Sequence, residues 1–127
     1  MAQGEVLEGG CHCGGVRFRV TVSDFTASEC NCSMCAMKAP IHLIVTPDRF
    51  ELLKGRDLLT TYTFNTHVAK HTFCRVCGIH PFYTPRSDPD KVDVNARCLD
   101  GEAWKRFGMR TFDGKNWEAA FAARGQH

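Results

Sequence analysis

The chain has little that would carry it to a membrane or a nucleic acid. No stretch of its 127 residues approaches the roughly eighteen consecutive apolar positions of a spanning helix. The opening MAQGEVLEGG has neither the basic region nor the apolar core of a secretion signal, so a cytoplasmic protein is expected. Net charge is scarce as well: +2 at neutral pH, from scattered basic residues, makes no stripe for a phosphate backbone, and neither nucleic acid nor membrane is expected as a partner. Internal repeats, low-complexity tracts and linkers are absent, so residues 1–127 read as a single domain.

Cysteine is what the chain does have, and seven of its eight cysteines fall in three tight clusters: Cys11-His-Cys13, Cys30-Asn-Cys32-Ser-Met-Cys35 and Cys74-Arg-Val-Cys77. Eight cysteines in a small secreted domain would suggest disulfides, but the missing signal argues against an oxidising compartment. Counting ligands points to zinc, since a structural zinc takes four protein ligands and a reactive one takes three, leaving a position open. The two pairs supply four sulfurs and the triplet supplies three. The i, i+2 spacing of Cys11 and Cys13 predicts an extended segment with both sulfurs on one face. Cys74 and Cys77 have knuckle spacing, and Gly78 suits a turn that needs positive φ. Sharing an ion, the pairs would close a loop of about sixty residues as a structural staple.

The triplet has no obvious fourth ligand, because Ser33 is a poor one and His42 would have to fold back across Pro40. An open, water-filled position is therefore expected there. Soft thiolates also select iron–sulfur clusters, which stay the second choice because a division into four and three suits mononuclear sites. A redox role for Cys74 and Cys77 lacks the surrounding alternation of strands and helices. Cys98 stands alone, either as a small buried apolar residue or beside the open zinc.

Most of the chain reads as strands. Val16, Phe18, Val20 and Val22 alternate with Arg17, Arg19 and Thr21, the mark of a half-buried strand. Further strands are predicted at Ile41–Thr46, Phe50–Leu53, Leu59–Phe64, Lys70–Phe73 and Val92–Asn95. Residues 84–90, with two prolines, predict a surface loop, and Asp113-Gly114 carries a hairpin signal. One helix is predicted at the end, with Asn116 as cap, Trp117, Ala120 and Phe121 on one face, and Gly125 after the last turn. The fold class expected is all-β, with small zinc-stapled sheets and a short C-terminal helix.

Gly9-Gly-Cys-His-Cys-Gly-Gly-Val-Arg-Phe18, the CxCSxC run at Cys30 to Cys35 and His71-Thr-Phe-Cys-Arg-Val-Cys-Gly78, in that order, resemble the glutathione-dependent formaldehyde-activating enzyme family. Within it the chain is most similar to the centromere protein V branch, on Leu52-Leu-Lys-Gly55, Thr60-Thr-Tyr-Thr-Phe-Asn-Thr-His67, Phe82-Tyr-Thr-Pro-Arg-Ser87 and Cys98-Leu-Asp100. The resemblance implies a β-tent fold, a closed zinc on Cys11, Cys13, Cys74 and Cys77, and a second zinc on Cys30, Cys32 and Cys35. It implies two zincs per chain, with glutathione as co-substrate and a small thiol and an aldehyde as partners. The implied reaction, at the second zinc, joins glutathione and formaldehyde as S-hydroxymethylglutathione; its reverse breaks a carbon–sulfur bond, which makes the class a lyase.

Around the triplet, Lys38 is a candidate for offsetting negative charge or binding a substrate carboxylate, with a solvated surface lysine as the plain alternative. His42 is either an acid–base group or a pocket-filling residue. His71 is expected to pack or to support the ligands rather than to be one. Tyr83, Arg86 and Asn95 lie in segments that match the family, and Arg86 is a candidate for an anionic substrate or for a surface ion pair. Two functions stand open: an enzyme of thiol–aldehyde adducts, or a non-catalytic zinc-binding module with a structural or metal- and thiol-scavenging role.

Overall fold

The strict alternation after the first cysteine pair folds as expected. In the computed structural model, which describes residues 4–64, 67–112 and 116–123, Arg17–Val22 is strand β2, with Phe18, Val20 and Val22 buried and the arginines half-buried. It lies at the centre of an antiparallel sheet between β1 (Glu5–Gly10) and β5 (Phe50–Lys54). On the outer face, Arg19 pairs with Glu8 at 3.1 Å and with Glu51 at 3.3 Å, which joins the three strands by charge. All of these side chains are substantially exposed, so the pairs contribute little to stability.

A second sheet has five strands in the order β10-β3-β4-β9-β8, formed by Gly108–Phe112, Thr26–Cys30, His42–Val45, Val92–Asn95 and Phe82–Tyr83. Its pairings are antiparallel except for β10 with β3, which is parallel. A two-stranded sheet of β6 (Leu59–Tyr62) and β7 (His71–Cys74) completes the set. The predicted strands are present, Val92–Asn95 with the expected bounds and the others differing by a residue or two at their ends, while β1, β3, β8 and β10 are additional.

Side chains on a strand alternate between its two faces, and the five-stranded sheet uses both. Ala27, Leu43, Val45, Val92, Val94 and Phe82 face the main core, where they meet Phe18, Val20 and Val22 of the first sheet. Phe18 stacks on Phe50 at 5.6 Å and meets Phe82 edge-on at 6.4 Å. The alternate set, Thr26, Ser28, Cys30, His42, Ile44, Asp93 and Tyr83, lines a cavity on the opposite side. A smaller apolar cluster of Cys11, Val16 and Cys74, flanked by Leu52, Leu58, Leu59 and Cys77, sits under the paired cysteines.

The C-terminal helix is α2 (Trp117–Ala123), with Trp117 and Phe121 stacked at 4.8 Å as the shared face predicted. The Asp113-Gly114 and Gly125 signals lie outside the described residues. A second short helix that the sequence reading did not include, α1 (Ser33–Lys38), carries the last cysteine of the triplet. Residues 84–90 do form a loop, but Pro85 is buried and Arg86, Ser87 and Asp88 are half-buried, so the first part of the loop is a cavity wall rather than free surface.

Phe18 joins the two sheets, and it is 0% exposed. Phe18→Ala should lower the unfolding free energy by about 3–5 kcal/mol through lost burial and a residual cavity. Urea denaturation of the metal-loaded protein measures this, and an unchanged midpoint would contradict the assignment of the core.

Candidate metal centre and adjoining cavity

The first cysteine pair is not on a strand. Extended geometry was the expectation from its i, i+2 spacing, but residues 11–15 form the tight connection between β1 and β2. The Gly14 N–H donates to the Cys11 carbonyl at 3.2 Å, and the Cys11 N–H donates to the Val16 carbonyl at 3.1 Å. Gly14 stands at φ +78, a conformation glycine adopts without a steric cost, and so the chain turns here where a strand would have continued. The turn still brings the sulfurs together, 3.5 Å apart, and the Val16 N–H donates to the Cys11 sulfur at 3.3 Å.

The second pair sits in the knuckle after β7. The Gly78 N–H donates to the Cys74 carbonyl at 2.7 Å, the Cys74 N–H donates to the Ile79 carbonyl at 2.9 Å, and Gly78 has φ +79 as its position predicted. Cys13 and Cys74 approach to 3.8 Å. All four sulfurs, from Cys11, Cys13, Cys74 and Cys77, lie within 4.8 Å of one another. Tetrahedral zinc with bonds of about 2.3 Å spaces its sulfurs about 3.8 Å apart, so this group fits a zinc ion in both number and spacing. The same distances are far beyond a disulfide bond of about 2.05 Å, and the cysteines are free.

The triplet is assembled differently. Cys30 ends β3, and Cys32 caps α1 by accepting the Cys35 N–H on its sulfur at 3.4 Å. Cys35 faces inward from the first turn of the helix, and Ala39 in a left-handed conformation and Pro40 stop the helix one turn later. The sulfurs of Cys30, Cys32 and Cys35 lie within 4.8 Å of one another, and no fourth Cys, His, Asp or Glu among the described residues joins them. Hydrogen bonds from the Cys30 and Cys35 thiols, with the Cys35 and Met34 N–H groups adding to them, hold the Cys32 sulfur down to about 2 against the effect of burial. The two neighbouring sulfurs push Cys35 the other way. The cluster thus already favours a thiolate, and a cation placed among the three sulfurs would displace the remaining protons.

The triplet opens on a cavity of about 730 Å³, walled by the face of the five-stranded sheet, the 84–88 loop and Trp117 of α2. Arg86 lines it with its guanidinium 3.7 Å above the Trp117 ring and 3.3 Å from Glu118. His42 lies on the cavity floor, 5% exposed, with Nδ1 2.7 Å from Asp93 Oδ2. Burial depresses its pKa, but the charge and hydrogen bond of Asp93 outweigh that and raise it above the ordinary value. Tyr83 places its hydroxyl 3.4 Å from the same Nδ1, and burial raises its pKa far above the usual range. His71 stacks flat on Tyr83 at 4.9 Å, and burial lowers its pKa, which keeps it neutral as a packing residue.

Two candidates lie elsewhere. Lys38 is exposed at the end of α1, 3.4 Å from His80 Nδ1, and is not among the residues lining the cavity. Asn95 is also outside the lining: its oxygen accepts the Ile41 and Arg97 N–H groups, and its amide donates to the His80 carbonyl. Those bonds fasten β9 to its neighbours and leave the side chain little to offer a ligand. Cys98 is half-buried against the core, donates to the His80 carbonyl at 3.7 Å, and has its pKa pushed up to about 12 by burial, then by the charges of Cys11 and Cys77. It belongs beside the four-cysteine group, not the triplet. Asp93 was not singled out from the sequence, where it reads as the outward residue of an alternating strand.

Small sheets that carry one group of four cysteines and one group of three, the latter lining a cavity, define a class of cysteine-cluster β protein. The model of the family described as glutathione-dependent formaldehyde-activating enzyme matches residues 6–112, and the chain belongs to this family. A crystal structure of a Rhodobacter sphaeroides protein, a structural-genomics target, is similar at 33% identity and a TM-score of 0.72 over 82% of this chain and 100% of that one.

With four sulfurs on one ion, losing one should cost folding itself, because binding to a structural zinc contributes folding free energy. Cys77→Ser is expected to unfold the domain or to lower its melting temperature sharply in thermal denaturation followed by circular dichroism. A cooperative melt at the unmodified temperature would overturn the grouping of Cys11, Cys13, Cys74 and Cys77.

Proposed function

We propose that the protein is a zinc-dependent enzyme of the carbon–sulfur lyase type, acting on thiol–aldehyde adducts by interconverting glutathione plus formaldehyde with S-hydroxymethylglutathione or by a closely related reaction. The observation that carries this reading is the three-sulfur group that lacks a fourth donor among the described residues and opens on a cavity large enough for a tripeptide thiol. Cys11, Cys13, Cys74 and Cys77 hold a structural zinc, and Cys30, Cys32 and Cys35 hold a second. A zinc ion held by Cys30, Cys32 and Cys35 would supply Lewis acidity and lower the pKa of a coordinated thiol.

The forward step joins the thiol sulfur to the aldehyde carbon; the carbonyl π pair becomes a lone pair on oxygen, which takes up a proton. The lyase direction reverses each of these movements. Arg86, half-buried at the wall and stacked on Trp117, offers a cation to a glutathione carboxylate. Lys38 and Asn95, placed outside the lining, are not needed for this binding mode. The partners are a small thiol and an aldehyde. No helix among the described residues is long and apolar enough to cross a membrane, and free thiols fit a reducing compartment such as the cytoplasm.

Exchange spectroscopy by NMR on mixtures of glutathione and formaldehyde measures the interconversion above its spontaneous rate. The zinc-loaded protein should accelerate it, and Cys32→Ser should lower that acceleration by about tenfold or more, about 1.4 kcal/mol of barrier, with the melt of the domain retained. Equal acceleration by the variant would remove the triplet from the reaction, and no acceleration by the unmodified protein would move the assignment to a non-catalytic zinc-binding module.

A further inference from the structure

One pair of groups on the cavity floor is left unexplained by packing. His42 and Asp93 are 5% and 2% exposed, and their shared hydrogen bond of 2.7 Å uses only one polar atom of each. The other two, His42 Nε2 and Asp93 Oδ1, are buried without a hydrogen-bond partner. Burying polar atoms unpaired is costly, and native folds rarely do it without a use. Strand alternation explains where the pair sits. His42 on β4 and Asp93 on β9 occupy the face opposite to Leu43, Val45 and Val94, and this face carries Cys30 on β3. The imidazole thus lines the same cavity as all three sulfurs of the triplet.

The carboxylate of Asp93 can only accept, so Nδ1 carries the proton towards Asp93, and in the neutral ring Nε2 is the nitrogen free to take one up. We propose that His42 Nε2 is the acid–base atom that binds and moves the proton of a thiol–aldehyde adduct's hydroxyl group, with Asp93 as the residue that positions the ring. This rests on the reading of the triplet as a thiol–aldehyde site and adds the group that handles the oxygen end.

In the forward direction Nε2 takes the proton of the entering thiol. The sulfur pair forms the carbon–sulfur bond, the carbonyl π pair moves to oxygen, and Nε2–H returns its proton there to give the hydroxyl. In reverse, Nε2 accepts the hydroxyl proton, the oxygen pair re-forms the carbonyl, the carbon–sulfur bond breaks with its electrons on sulfur, and the proton returns to the thiol. No other reactant is needed, and Asp93 stays a carboxylate throughout, stabilising the imidazolium between the two transfers.

His42→Asn is the informative variant, since its amide can keep the hydrogen bond to Asp93 but has nothing at the position of Nε2. In the zinc-loaded protein the acceleration of thiol–formaldehyde exchange should fall by about a hundredfold or more, with zinc content and melting temperature retained and part of the rate returned by added imidazole. A second measurement uses the unmodified protein with nitrogen-15-labelled histidine. His42 Nε2 should resonate as an unprotonated nitrogen and shift towards the protonated range when glutathione and formaldehyde are added. Unchanged exchange in His42→Asn, or an Nε2 resonance that ignores the mixture, would overturn the role of His42 while leaving the thiol–aldehyde reading intact. Absence of acceleration by the unmodified protein would remove that reading, and this one with it.

Discussion

The meeting of two turns, one after β1 and one after β7, is the constraint on which the rest of the structure depends. Cys13 and Cys74 are 61 residues apart in sequence, yet their sulfurs lie 3.8 Å from each other. Closing such a loop has an entropic cost that four thiols alone do not offset. A metal ion bound by all four would, since structural zinc contributes about 10–16 kcal/mol in small domains. Between the two turns lie β2 to β7 and the triplet itself. Under the junction lies the apolar cluster of Cys11, Val16 and Cys74, with Leu52, Leu58 and Leu59 packed against it.

Everything functional then follows from a sheet that has two different faces. One face of the five-stranded sheet is buried against β2 and contributes most of the hydrophobic core. The other face is neither core nor open solvent, because the 84–88 loop and Trp117 wall it into a cavity. The same alternation that fixes the packing of Leu43 and Val45 therefore aims His42 at the triplet's side. Stability and chemistry share a backbone here, and a slip of one residue in the pairing of β4 with β9 would exchange them.

The parts legible in the sequence were those with a local pattern. The alternation of β2, the knuckle with Gly78, the two cysteine groups and the stacked face of α2 were each readable from a few adjacent residues. The strands that were missed have no such pattern: β1 ends in Gly9 and Gly10, where a side chain at Gly10 would run into the Val16 carbonyl. β3 and β10 are made strands by pairing with each other in parallel across some eighty residues. α1, at six residues, is too short for a helical period, and its only local sign was the i, i+3 spacing of Cys32 and Cys35. The sulfurs of Cys11 and Cys13 converge through a Gly-Gly turn, which can bring two sulfurs together as well as the expected strand can. Asp93 was invisible because alternation says which side of a strand a residue takes, and only the tertiary structure says that this side is a cavity.

The central claim is that one thiolate group is closed and the other is open to a thiol. Native mass spectrometry of the purified protein, counting zinc per chain before and after glutathione is added, tests it most directly. Two zincs are expected, one indifferent to the thiol and one that gains a glutathione adduct or is released. A single zinc, or two that both ignore glutathione, would contradict the account.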